Sequence, residues 1–227
     1  MKYQKTIVPA DKTFFTADLH IGHKGVIKLC NRPFSDINDM HETLIKNWNA
    51  IVPEDGHTFL IGDTGFKGNP ARLRQLLDRL NGKIYLILGN HEKDATSEVC
   101  RSRFEWIEKY ESIYVDNGNG DLQNIFLCHY SMDVWNKSHA GNVWNLYGHS
   151  HGNLPENPNS FKFDVGVDCW NYEPVSFARV AEKMATKTHL DPQVHKRNGV
   201  DKIKVLEDRI KFLEEQLKQH HPTEEIS

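Results

Sequence analysis

The residues that could do chemistry in this chain are imidazoles and carboxylates placed just beyond short apolar runs. Phe14-Phe15-Thr16-Ala17 is followed by Asp18-Leu19-His20, Thr58-Phe59-Leu60-Ile61 by Gly62-Asp63, and Ile84-Tyr85-Leu86-Ile87-Leu88 by Gly89-Asn90-His91-Glu92. Ile125-Phe126-Leu127-Cys128 leads into His129, and Val143-Trp144-Asn145-Leu146-Tyr147 into Gly148-His149-Ser150-His151. A lone histidine in such a place is ordinarily a satisfied core residue. Metal-type donors after all five runs need another explanation. Cysteine is absent from the set, which argues against a structural zinc knot. Mixed imidazole and carboxylate suits manganese, iron, zinc, cobalt or nickel, whereas all-oxygen sites suit calcium or magnesium. The seven donors Asp18, His20, Asp63, Asn90, His129, His149 and His151 exceed the needs of one ion. Two ions sharing a bridging carboxylate would use them all, and such a pair, roughly 3.5–4 Å apart, activates water and clamps the oxygens of an in-line displacement.

Positioning these donors requires short strands ending at a common edge. The five runs have the length and the aromatic or β-branched content of buried strands. Ligands bind beyond the carboxyl ends of strands in layered α/β proteins. Residues two apart on a strand share a face, which would aim Asp18 with His20 and His149 with His151. Between the runs, 38–50 places Met40, Leu44, Ile45 and Trp48 on one stripe, and Asn69-Pro70 opens a helix over 71–80 carrying Leu73, Leu76, Leu77 and Leu80. This alternation predicts an α/β layered domain. Further strands are expected at 112–115, 162–167 and 175–180. Past Ala181 the chain turns polar, predicting a domain over 1–181, a linker over 182–200, a helix over 201–220 and a disordered end at 221–227. Ile203, Leu206, Ile210, Leu213 and Leu217 have heptad spacing, so that helix packs on its own domain or pairs with a second copy.

With 227 residues and a formal charge of -3, the chain lacks the global basic field of a non-specific nucleic-acid binder. It shows no apolar run of the roughly 20 residues needed to span a bilayer, and Met1 to Lys12 does not read as a signal peptide. The four scattered cysteines read as reduced thiols of a cytoplasmic protein.

Asp18-Leu19-His20, Gly62-Asp63, Gly89-Asn90-His91-Glu92, His129 and Gly148-His149-Ser150-His151 resemble, in order and spacing over residues 13 to 151, the calcineurin-like metallophosphoesterase superfamily. The block from His20-Ile21-Gly22-His23-Lys24 to Asn31-Arg32-Pro33-Phe34, with Asn47-Trp48-Asn49, is similar to a compact bacterial and phage branch acting on small or nucleotide-like phosphoesters. The resemblance ends near Ala181. It implies a four-layer α/β/β/α sandwich of two mixed sheets with flanking helices, here with a C-terminal helical tail. It implies one metal on Asp18, His20, Asp63 and His151 and a second on Asp63, Asn90, His129 and His149, with manganese the first choice. Hydroxide held by the metals would attack phosphorus, with His91 assisting the leaving group. His23 and Arg32 are candidate substrate contacts, and Glu92 a candidate support for the ligands. The phosphoprotein-phosphatase continuation Gly-Asp-x-x-Asp-Arg-Gly is missing, since Gly62-Asp63 runs on as Thr64-Gly65-Phe66-Lys67-Gly68. That favours a phosphodiesterase over a phosphomonoesterase. A non-catalytic metal-binding scaffold is the rival of another class, disfavoured because every ligand and His91 are present.

Overall fold

The computed structural model describes residues 5–65, 68–189, 207, 210 and 211. The chain forms two compact units, 1–189 and 190–227. In the second, only Glu207, Ile210 and Lys211 are described, each helical and exposed. The heptad helix expected over 201–220, its self-association and the disordered end therefore lie almost wholly outside the described residues.

The described residues of the first unit form ten strands: β1 (Ile7–Pro9), β2 (Thr13–Thr16), β3 (His57–Ile61), β4 (Lys83–Ile87), β5 (Phe104–Glu108), β6 (Tyr110–Asp116), β7 (Leu122–Cys128), β8 (Val143–Tyr147), β9 (Lys162–Asp164) and β10 (Val175–Ser176). Its helices are α1 (Lys24–Leu29), α2 (Ile37–Ile51), α3 (Pro70–Leu77), α4 (Glu98–Arg101) and α5 (Phe177–Ala185). Two five-stranded mixed sheets result, ordered β10-β2-β3-β4-β5 and β1-β6-β7-β8-β9. The expected two-sheet α/β sandwich with flanking helices is the observed fold.

Period-two alternation decides how the layers meet. In β4, Ile84 and Leu86 face α2 and α3, packing with Trp48, Leu73, Leu76 and Leu77. Tyr85 and Ile87 face the second sheet, joining Phe15, Phe59 and Ile61 against Ile113, Ile125, Leu127 and Leu146. The helices start where caps allow. Asp36 accepts from the N–H groups of Asn38 and Asn69 from that of Arg72, while Asp36 also takes Asp39 N–H and Pro70 occupies the first turn of α3. Trp135 buries its ring with Phe126 and Val143 on the far face of the second sheet, and Trp144 stacks on Phe177.

Two expectations fail at the carboxyl end of this unit. The strand expected over 175–180 stops at Ser176, whose hydroxyl accepts from Arg179 N–H and caps α5. Phe177, Val180 and Met184 then lie at helical spacing and bury against the core between the sheets. The expected linker start at 182 is likewise too early, because α5 continues to Ala185 and Lys187 Nζ donates to Asn157 O at 3.1 Å. No helix of the described residues is long and apolar enough to cross a membrane.

Candidate metal centre

The carboxyl ends of β2, β3, β4, β7 and β8 deliver the expected donors to one edge. Backbone bonds register the loops there: Asp18 N–H donates to Gly62 O at 3.0 Å, His20 N–H to Asp63 O at 2.9 Å and Gly148 N–H to His129 O at 3.0 Å. The pairs Asp18/His20 and His149/His151 are not aimed by strand alternation, as expected, because β2 ends at Thr16 and β8 at Tyr147. Left-handed turns aim them instead: φ is 59° at Asp18, 51° at His20, 54° at Asp63, 68° at His149 and 48° at His151.

The glycines of the motifs have a steric reason. A Cβ on Gly62 would lie 2.3 Å from His129 Nδ1, one on Gly89 2.3 Å from Asp63 Oδ1, and one on Gly148 2.7 Å from Asp18 Oδ2. The ligand side chains occupy the space that any larger residue there would fill.

Two donor groups form, each with its ligand atoms within 4.8 Å of one another: Asp18, His20 and His151, and Asp63, His129 and His149. Asp63 faces both. Its Oδ2 is 3.5 Å from His20 Nε2 and its Oδ1 3.5 Å from His129 Nε2. His129 Nδ1–H donates to Ile61 O at 2.8 Å, which leaves Nε2 directed at Asp63 and at Asn90 Oδ1, 3.3 Å away. His151 Nδ1–H donates to Asp168 Oδ2 at 2.6 Å, turning its Nε2 inward in the same way. Both ring nitrogens of His20 are buried without a hydrogen-bond partner. Orphaned imidazole nitrogens facing a carboxylate fit a cation better than an apolar core. The donor chemistry therefore fits a pair of divalent metals.

Electrostatics point the same way. Burial pushes the Asp18 carboxyl up to about 7, although His129 and His151 oppose the shift. At Asp63 burial is outweighed by His129, His20 and the His91 N–H, which hold its carboxyl at about 2. Burial drives His20 down to about 3. A neutral imidazole is the form that binds metal.

His91 donates its backbone N–H to Asp63 Oδ1 at 2.9 Å, and its ring lies 5.4 Å from that of His20 and 6.1 Å from that of His23. Both His91 and His23 are half-buried at the mouth, where Asn90 and His149 are exposed. Glu92 is buried, and its Oε1 accepts from Thr64 N–H at 3.0 Å. It steadies the backbone next to Asp63, whereas the sequence had suggested support of a ligand side chain.

Arg32 is placed differently from the expected substrate contact. Its side chain is fully buried, and its Nε and Nη2 donate to the two oxygens of Asp168 at 2.8 Å each. Nη2 also donates to Asp18 O at 2.7 Å, and Nη1 to Leu19 O at 3.2 Å and Met40 Sδ at 3.4 Å. Its five N–H groups are thus engaged, and phosphate would have to displace one of these partners. Cys30, His151 and Asp168 also bring potential ligand atoms within 4.8 Å. The guanidinium paired with Asp168 opposes a cation there, so this group is not an independent site.

Sequence reasoning missed Asp164, the last residue of the short strand β9, and Asp168, just beyond it. Asp164 Oδ2 accepts from Ser150 Oγ at 2.6 Å and Gly152 N–H at 3.1 Å, bracing the loop of His149 and His151. The available signal was their spacing around Gly166, where an added Cβ would lie 2.7 Å from Asp18 Oδ2.

Residues 12–216 match the family model for calcineurin-like phosphoesterases, well past the expected end of the resemblance near Ala181. The chain is 35% identical over 175 residues to an uncharacterised protein of Methanocaldococcus jannaschii, covering 73% of this chain and 86% of that protein. It is 30% identical over 183 residues to the gene 66 protein of Mycobacterium phage L5, covering 70% of this chain and 87% of the phage protein. A solved structure of a protein of unknown function from Aquifex aeolicus shares the fold, with a TM-score of 0.57 at 18% identity over 75% of this chain and 98% of that one. The chain belongs to the calcineurin-like phosphoesterase family.

Proposed function

We propose that this protein is a phosphodiesterase working with two divalent metals, manganese first among them, on a small nucleotide-like or cyclic diester. One observation carries the reading: Asp63 directs one carboxylate oxygen toward each donor group. Asp18, His20, Asp63 and His151 would hold one ion, and Asp63, Asn90, His129 and His149 the other. When bound, the pair supplies Lewis-acid stabilisation of the phosphoryl oxygens and activation of water.

The chain's own residues do the rest. Asp63 also fixes the backbone of His91, setting its imidazole at the mouth to donate a proton to the leaving oxygen. The exposed Asn90 and His149 leave that side open to a ligand. The preference for a diester follows from charge. A monoester dianion asks for an extra cationic group, and Arg32 is already engaged with Asp168 and backbone carbonyls. At the position after Asp63, Thr64 N–H is held by Glu92. The four cysteines are free thiols, which supports a reducing, cytoplasmic setting.

Metal-stripped protein refilled with manganese should cleave bis-p-nitrophenyl phosphate faster than p-nitrophenyl phosphate. His91→Ala should keep its metals and lose about 10²–10⁴ in rate. Faster monoester cleavage would make the protein a phosphomonoesterase. Two bound ions with no turnover of either ester would favour the scaffold reading.

A further inference from the structure

We infer that Arg32 is a positioning residue which, acting through Asp168, sets the affinity of one metal position and leaves the other alone. The inference rests on the two-metal reading above. Arg32 follows α1 after a left-handed turn at Asn31, where φ is 49°. From there its guanidinium reaches behind the donors. It holds the carbonyl oxygens of Asp18 and Leu19, and so fixes the backbone that carries Asp18 and His20. It takes both oxygens of Asp168, whose Oδ2 in turn accepts from His151 Nδ1–H at 2.6 Å.

One planar cation therefore ties together the segments that supply Asp18, His20 and His151, the three members of one donor group. The other group shares the backbone tie of His20 N–H to Asp63 O and the His149 N–H bond to the Asp18 carboxylate, but its side chains have braces of their own. His129 is set by Ile61 O, Asp63 by the His91 N–H, and Thr64, next to Asp63, by Glu92. Asp168 keeps His151 in the tautomer whose Nε2 faces inward, and Arg32 keeps both oxygens of Asp168 oriented. A carboxylate behind a histidine ligand, itself clamped by a guanidinium, limits the rotation of that ligand and fixes its tautomer. A lysine offers a point charge with no planar fork, so it could not hold Asp168 and two carbonyls together.

The test counts metal, independently of turnover. Metal-stripped full-length protein is titrated with manganese by calorimetry and by electron paramagnetic resonance of the free ion, for wild type, Arg32→Lys and Asp168→Asn. Wild type should take two ions. Each variant should retain one at wild-type affinity and bind the other about 10- to 100-fold more weakly. Combining the two substitutions should cost little beyond Arg32→Lys alone, because the Asp168 contact lies on the same chain of contacts that Arg32→Lys already breaks. In a His149→Ala background, which weakens the other position, Arg32→Lys should remove tight binding altogether. If Arg32→Lys fails to fold, Asp168→Asn carries the test, since it leaves the guanidinium on its two carbonyls. Two ions in wild type with both positions weakened equally, or neither, would overturn this inference alone. Fewer than two ions in wild type would overturn the two-metal reading and this inference with it.

Discussion

Gly89→Ala is a sharp test of how the site is built, because the backbone there needs no left-handed conformation and only volume changes. The added Cβ would lie 2.3 Å from Asp63 Oδ1 and 2.6 Å from Asp63 N. Ordinary contact begins near 3.4 Å, so Asp63 must shift by about 1 Å, and its backbone is pinned by His20 N–H at 2.9 Å. Overpacking of this kind costs about 1–3 kcal/mol. For a domain of this size that corresponds to a fall in Tm on the order of 2–12 °C. Misplacement by about 1 Å costs on the order of 10² in rate. A thermal melt of metal-stripped protein reads the first effect, and manganese-dependent cleavage of bis-p-nitrophenyl phosphate the second. A variant with the wild-type Tm and rate would show that Asp63 is not held against Gly89, and the account of the motif glycines would fall with it.

Other expectations follow from single contacts. Asp63→Asn should weaken both metal positions and lose more activity than His91→Ala; calorimetry showing two ions at wild-type affinity would refute the bridging role. Stability should also fall in acid through His41. Burial holds this imidazole below its ordinary pKa, and its Nε2 accepts from Gly22 N–H at 2.9 Å. Above about pH 6.5 it is neutral in both folded and unfolded chains; below that, the unfolded chain takes up a proton that the folded one resists, and stability drops. His41→Gln should flatten that acid limb in urea melts compared between pH 7.5 and 5.5, and an unchanged slope would assign the loss to other groups.

The donors were legible because their types are rare together and each follows an apolar run. The helices α2 and α3 were legible because their apolar stripes and caps coincide. Arg32 shows where such reading stops. Its chemistry suits phosphate, and only the three-dimensional position of Asp168, 136 residues away, reveals that its N–H groups are engaged. Val175 to Val180 reads as a strand by composition, yet only Val175–Ser176 is one; the Ser176 cap and the fit of Phe177, Val180 and Met184 between the sheets make the chain helical from Phe177 on. Tertiary packing overrode local propensity there. Asn47-Trp48-Asn49 proves to be structural at its centre: Trp48 Nε1 donates to Asn81 O and Asn49 Oδ1 accepts from Asn81 N–H, locking α2 to the turn before β4.

The left-handed backbone at Asp18, His20, Asp63, His149 and His151 unites these threads. Each such residue costs on the order of 1–3 kcal/mol and persists only where its surroundings over-determine it. Here those surroundings are the backbone ties between Asp18 and Gly62 and between His20 and Asp63, the Arg32 clamp on two carbonyls, and the His149 N–H on the Asp18 carboxylate at 2.9 Å. Asp and His are among the residues that tolerate this region best. Ligand chemistry and backbone strain thus select the same side chains. A β-branched replacement at any of the five would remove a donor and also force the turn open, so loss of metal and loss of loop geometry should arrive together at these positions. At Asp168, which bears neither burden, the two should separate.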